Sequence, residues 1–480
     1  MKRLILMVSL SLFPRLLVAQ ELDISALLGE TWYGVYMSGQ KSGYAVNNVV
    51  KNDDGSVMVS EDARFHITME NVKQDMRIFS ERTYAPDGAL SEVKTRVETL
   101  SGESQFDALV KGDTLLMRSV VGGEAQEVEL PRPDESLEDA FKQIELIQNG
   151  GEVGNELHYT IFDPMYRKEI QGVSKVIAIE ERVFDGVPTK VYKIKNTLID
   201  MGIDSISYVA EDGTTLEDEV AGLITTRLEP EEIAKDVNYN NDVIVSNAAL
   251  IDAPIENPRE RQLLKLRLTG PLTEAHLFND ERQYLAPKDG AYEFSAHLIS
   301  LEEFQPITLP VEDPSVQEWL KPSLFIQSED PKLIAKAKEI VGDETNAFEV
   351  STKLCHWVYE NVRTTFTAQL SNTLEVLEHM EGDCTEHSVL FIGLARAAGL
   401  PAREVAGLIY VDNGRPGFYF HQWATVWIGK WIDVDPTFNQ PLADVTHIKL
   451  AEGDLFEQSR LIPIIGQIKV QVLEGASSSG

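Results

Sequence analysis

Near residue 327 the hydrophobic pattern of this chain changes its period, and a single layer architecture cannot serve both sides of that change. From Leu22 to about Pro230 the chain alternates. "TWYGVYMSGQKSGYAVNNVV", "GSVMVSEDARFHITM", "KTRVETL", "KVIAIEERVF" and "TKVYKIKNTL" carry β-branched and aromatic residues in near alternation. Asp54-Gly55, Lys111-Gly112-Asp113, Asp185-Gly186 and Asp212-Gly213 supply the turns between them. One helical insert, "ESLEDAFKQIELIQNG", is expected to stop at Gly150. A second β-rich stretch from about Val237 to Pro322 contains "NDVIVSNA", "LLKLRLTG" and "YEFSAHLI", with the proline-bearing "DAPIENPRER" as a connecting loop.

After Gln327 the period becomes helical. Asp330 before Pro331 reads as a cap and first-turn proline, and Gly342 closes that helix. A second helix covers roughly Ala347 to Val362. A third starts at Asn372, with Glu375 at capping-box spacing, and runs into Gly382. In "MEGDCTEHSVLFIGLARAAGLPAR", Asp383 and Glu386 repeat that spacing, which makes Cys384 the first residue of a helix ending at Gly399. From Val389 to Ala398 this helix is apolar almost all round and is expected to be buried.

At 480 residues the chain exceeds one hydrophobic core. Lys2 and Arg3 ahead of the apolar run Leu4 to Phe13, with Ala19 before Gln20, read as an export signal at 1–19, so a periplasmic or secreted location is expected. Pro14 and Arg15 interrupt the run, and no later segment is expected to span a bilayer. A net charge of −34 excludes nucleic acid as a natural partner, because phosphate binding draws on clustered Lys and Arg. The sequence contains no EF-hand loop, HExxH or CxxC, so neither a metal nor another cofactor is expected. Of the two cysteines, Cys355 lies on one helix face with Ala347, Ser351, Leu354, Val358 and Val362 and reads as a buried core thiol; a disulfide to Cys384 is the alternative.

A thiol at a helix start faces unpaired N–H groups and the positive end of the macrodipole, which lowers its pKa. Three histidines follow Cys384. His387, on the same turn, reads as a packing residue. His421 lies in the alternating "GFYFHQWATVW", on one face with Trp423, Thr425 and Trp427, and Trp431, Asp433 and Asp435 share a face on the returning "WIDVDPTF". A two-residue loop would place His421 and Asp435 on opposite faces; a three-residue loop, Ile428-Gly429-Lys430, pairs Trp427 with Trp431 and sets His421 diagonal to Asp435. The pattern alone does not choose between Asp433 and Asp435. The tryptophans read as hairpin packing, with a binding platform as the alternative.

The blocks "GDCTEHSVLFIGLARAAGLPAREVAGLIY" and "FHQWATVWIGKWIDVDPTFNQPLADVTHIKL" resemble the transglutaminase-like superfamily, whose fold is related to papain-like thiol enzymes. Three motifs stand in the family's order: Gly-x-Cys, His-x-Trp and Trp-x-x-x-Asp-Pro-Thr. The resemblance implies that Cys384 is the nucleophile, that His421 takes its proton and later protonates a leaving group, and that Asp435 orients His421. Asp433 is then a solvated or loop-stabilising carboxylate, and Asp444 and His447 in "ADVTHIKL" support the hairpin. Gln422 stands where alanine is frequent and Thr425 where glutamate is common. The Cys384 N–H is the natural first oxyanion donor.

The expected fold is α+β: an antiparallel β-sheet domain over 20–235, a small β-rich domain over 236–324, and a papain-like, transglutaminase-like core over 325–480. The expected activity is thiol-dependent acyl transfer on an amide of a protein, peptide or cell-wall peptide, with hydrolysis favoured over transamidation. The alternative is a non-catalytic binding or assembly protein of the cell envelope that uses the same core as a scaffold.

Overall fold

The computed structural model describes residues 22–69, 72–237, 246–302, 304–366 and 371–473. The export signal expected at 1–19 and most of the strand expected across "NDVIVSNA" lie outside the described residues. Among those described, no helix is long and apolar enough to cross a membrane.

Alternation in the first 230 residues produces one antiparallel sheet of fourteen strands, from Gly29 to Leu228. Its first strand, Gly29–Met37, lies mid-sheet beside its last, Ile224–Leu228, with Tyr33 opposite Leu228. Asp185 and Gly186 both take positive φ, 49° and 81°, as a two-residue hairpin turn requires. The sheet curls around its helical insert. That insert is two short helices, Leu137–Ala140 and Lys142–Gln148, rather than the single one expected, because Phe141 leaves helical geometry between them. Ile144 packs on Val49 and Val57, and Leu146 on Val176, Ile194 and Val209. The curl brings Arg82 within 3.1 Å of the Phe162 carbonyl, and the Glu135 carboxylate accepts the Phe162 N–H at 2.7 Å.

Leu263–Thr269, Gln283–Lys288 and Ala291–His297 form a four-stranded sheet with a strand from the far end of the chain, Lys469–Val472. Leu266, Leu268 and Phe294 share one core with Leu408, Phe418 and Ile448. Ala249–Leu250 adds to the edge of the next sheet, opposite Gly417 and Phe418. The segment between 246 and 297 therefore shares both backbone pairing and apolar packing with the carboxyl-terminal chain.

That carboxyl-terminal layer is α+β, as expected. Its helices are α1 (Pro331–Val341), α2 (Ala347–Asn361), α3 (Thr373–His379) and α4 (Cys384–Ala397). Its strands are β1 (Ala402–Val411), β2 (Gly417–Trp427), β3 (Trp431–Val434) and β4 (His447–Glu452); β1 lies between β2 and β4, and β3 pairs with β2. The caps are those read from the sequence: Asp330, Asn372 and Asp383 each accept a backbone N–H of their own first turn. Helix α3 stops earlier than expected. Met380, at φ 53°, is its left-handed cap, which leaves Gly382 to pair with Thr364 instead. Helix α4 is buried continuously from Glu386 to Arg396. A Cβ on Gly393 would stand 2.4 Å from Thr373 Cγ2, so glycine permits α3 and α4 to cross this closely.

Candidate active site

Cys384 opens α4 beneath a complete capping box. The Asp383 carboxylate accepts the Thr385 N–H at 2.7 Å, and Glu386 reaches back to the Asp383 N–H at 2.8 Å. Glu386 runs over Gly382, where a Cβ would come within 2.2 Å of Glu386 Cβ; this gives the Gly-x-Cys spacing a steric cause. Strand β2 lies directly against the cysteine. The Gln422 backbone N–H acts on the Cys384 thiol in the direction that favours its ionised form. The Ser388 hydroxyl sits between the carbonyls of Cys384, 2.7 Å away, and Gln422, 3.1 Å away.

The β2–β3 hairpin has the register expected of a three-residue loop. Trp427 opposes Trp431 and Ala424 opposes Val434. His421 is thereby diagonal to Asp435, and His421 Nε2 lies 2.9 Å from Asp435 Oδ2. The other carboxylate oxygen accepts the N–H groups of Thr437, at 2.8 Å, and Phe438, at 3.2 Å. An ionised carboxylate only accepts, so Nε2 of His421 carries the hydrogen; in the neutral ring Nδ1 then keeps its lone pair. Trp423 stacks on His421 with ring centroids 5.9 Å apart, and Trp427 meets Trp431 edge to face at 5.5 Å, so the tryptophans pack the hairpin.

Residues 334–436 match the family description "Transglutaminase-like superfamily". Residues 334–436 form a transglutaminase-like domain. An uncharacterized protein of Haemophilus influenzae is 32% identical over 98 residues, a stretch that makes up 19% of this chain and 26% of that protein. The alignment thus spans about a quarter of that relative's length. Among solved structures, "a Putative Cysteine Protease from Cytophaga hutchinsonii" is similar at 18% identity and a TM-score of 0.31, over 46% of this chain and 89% of that one. A "Beta-barrel-like Protein of Domain of Unknown Function DUF1849 from Brucella abortus" is similar at 12% identity and a TM-score of 0.34, over 42% and 94%.

Electrostatics within and beside the transglutaminase-like domain correct one expectation. The Cys384 thiol is pushed well up, not down: burial is the largest cause and the Asp383 carboxylate adds to it, while the Gln422 N–H opposes both. Burial, with the Asp383 charge added to it, prevails over the donor that favours the thiolate. The resting group is a thiol, so its chemistry needs a base at the moment of attack. Burial alone would raise Asp435, yet the His421 and His447 imidazoles hold its carboxyl far below the usual range.

His447 is the residue whose position the sequence reading missed. It arrives from β4, and its Nε2 lies 2.9 Å from the same Asp435 oxygen that His421 binds. Its Nδ1 faces Asp444 at 3.3 Å, and the two carboxylates raise its pKa against the effect of burial. With a carboxylate at each ring nitrogen, His447 is satisfied as an imidazolium. Arg259, from the loop expected to be a mere connection, anchors Asp444 at 2.9 Å. The Nε2 atoms of His421 and His447 and the Asp435 carboxylate all lie within 4.8 Å of one another, close enough for a divalent ion to bridge, but their hydrogen bonds already account for that convergence.

Asp433 is not solvated. It is buried between Lys449, at 2.8 Å, and Arg282, at 3.0 Å, which pull its pKa to about 2 against the effect of burial. His387 packs as expected, with Nδ1 2.6 Å from the Asp383 carbonyl. Cys355 is free and fully buried, 3.6 Å from the Asp435 carbonyl, and burial raises its thiol above the ordinary range. Cys384 is also free, so no disulfide joins the pair.

Proposed function

We propose that this chain is a thiol enzyme that transfers acyl groups from amides, with Cys384 as nucleophile, His421 as acid and base, and Asp435 as the group that orients His421. One arrangement carries the reading: the Ser388 hydroxyl ties the Cys384 turn to the strand residue next to His421, at 2.7 and 3.1 Å, while Asp435 meets that histidine at Nε2. As Cys384 Sγ bonds to the amide carbonyl carbon, its proton passes to Nδ1 of His421. The C–N bond then breaks, the proton leaves with the amine, and a thioester remains. Water, activated by the same imidazole, releases the acid and regenerates the thiol; an amine in its place gives transamidation. The oxyanion is met by the Cys384 N–H, the group the capping box leaves over.

Hydrolysis is favoured, on proteins, peptides or cell-wall peptides outside the cytoplasm. The test incubates a library of peptides and cell-wall fragments with the wild type and with Cys384→Ala, followed by mass spectrometry. Wild-type products heavier by one water in total than their substrate indicate hydrolysis, and products carrying an amine indicate transamidation. Unchanged masses in both reactions, together with no Cys384 labelling by a thiol-directed probe, refute the proposal in favour of the scaffold reading.

A further inference from the structure

The concave side of the fourteen-stranded sheet holds a cavity of about 510 Å³, closed on one side by the Lys142–Gln148 helix. Interiors of this kind are ordinarily filled by apolar side chains, since buried polar groups are costly unless paired. Here polar side chains stand among apolar ones such as Ile161, Leu198 and Val220. Asn47, Glu61, Asn196, Ser205, Ser207 and Asp218 all line the space.

Three of the lining groups carry charge. Lys142, the first residue of its helix, projects into the cavity with Nζ 4.4 Å above the Tyr159 ring. Among the described residues it makes no hydrogen bond and no ion pair. Glu61 lines the same cavity and is exposed to water on its open side. It too forms no hydrogen bond or ion pair among the described residues. Asp218 is held by the Ser207 hydroxyl at 2.5 Å and faces both of them electrostatically. Burial disfavours the charged form of all three: it raises the two carboxyls and lowers the ammonium. Asn47 adds a buried side-chain oxygen with no partner.

An unpaired cation and an unpaired anion facing one cavity of mixed lining, neither neutralising the other by contact, are complementary to a molecule that brings both opposite charges. We propose that this cavity binds a small zwitterion, an amino acid or short peptide, whose ammonium lies between Glu61 and Asp218 and whose carboxylate meets Lys142. The volume falls within the roughly 300–1,000 Å³ usual for small-molecule sites. The site is separate from Cys384 and does not depend on the acyl-transfer proposal.

Isothermal titration calorimetry on the whole protein tests this with a panel of common amino acids and of dipeptides with acidic, neutral and basic side chains. Butylamine and butyrate serve as single-charge controls. At least one zwitterion is expected to bind saturably, about tenfold or more tighter than either control. Lys142→Met and Asp218→Asn should each weaken that binding by roughly tenfold or more, the loss of one charge-assisted hydrogen bond. Cys384→Ala should leave it unchanged, whether or not the protein proves to be an enzyme. The near-isosteric Asp218→Asn keeps the test decisive if Lys142→Met does not fold. Absence of saturable binding across the panel, equal binding of butylamine, or binding unaffected in a folded variant would overturn the proposal.

Discussion

Asp435 accepts two imidazole N–H groups on one oxygen and two backbone N–H groups on the other, so it positions both a histidine and a turn. Asp435→Asn keeps the shape but can turn its own N–H₂ toward His421, which favours the wrong tautomer. Activity is expected to fall by about 10⁴-fold, the scale seen when a triad carboxylate becomes an amide; steady-state assay of the substrate found by mass spectrometry checks it. Asp383 offers a gentler test. Its carboxylate caps α4 and raises the neighbouring thiol, and asparagine caps helices about as well as aspartate. Asp383→Asn should therefore leave thermal stability nearly unchanged while moving the pH midpoint of Cys384 alkylation downward. An unshifted midpoint would mean that the Asp383 charge does not reach the sulfur. The direction of the thiol's shift was not legible in the sequence: a helix start argues for a low thiol pKa, and only the folded surroundings of this half-buried sulfur show that desolvation and the Asp383 charge prevail.

At the scale of elements, periodicity and caps carried most of the information. Asp330, Asn372 and Asp383 cap the helices they precede, because an N-cap is a local bond spanning two or three residues. Hairpin register was legible too, since only an odd loop puts His421 and Asp435 on one face. Deleting Lys430 should convert that loop to two residues and flip β3 relative to β2. Thiol-probe labelling of Cys384 and catalysis should both drop sharply, and near-ultraviolet circular dichroism should lose the signal of the Trp427–Trp431 pair. Retained activity would show that Ile428 and Gly429 can rebuild the register. Illegible were the left-handed stop at Met380, which no glycine or asparagine announces, and the break at Phe141 in the insert.

Across the whole molecule, the site depends on residues that the chain brings from far away. Arg282 lies 151 residues before Asp433, and Lys449 comes from β4, yet both pair with that one carboxylate. Arg282 also donates to the His447 carbonyl at 2.7 Å, so it couples the strand Gln283–Lys288 to the element that carries the second imidazole. No local pattern could reveal this, since a lone arginine in "NDERQYL" reads as surface charge until the fold surrounds it. Removing one partner of such a buried cluster leaves the others uncompensated, and Arg282→Met is expected to cost about 3–5 kcal/mol in urea unfolding. The cluster also sets an acid limit. Asp433 titrates at about 2 in the folded chain against an unfolded reference of 3.8, so its contribution is complete above the unfolded value and disappears as pH falls through about 2. Urea titrations from pH 5 to pH 2 should show wild-type stability declining across that window. In Asp433→Asn the acid-dependent part of the decline should be smaller, because the amide has no proton to take up, while stability at neutral pH is lower. An equally steep acid loss in that variant would move the acid sensitivity to other carboxylates, with Asp435 and Asp444 next in order because the same fold holds both below their ordinary range.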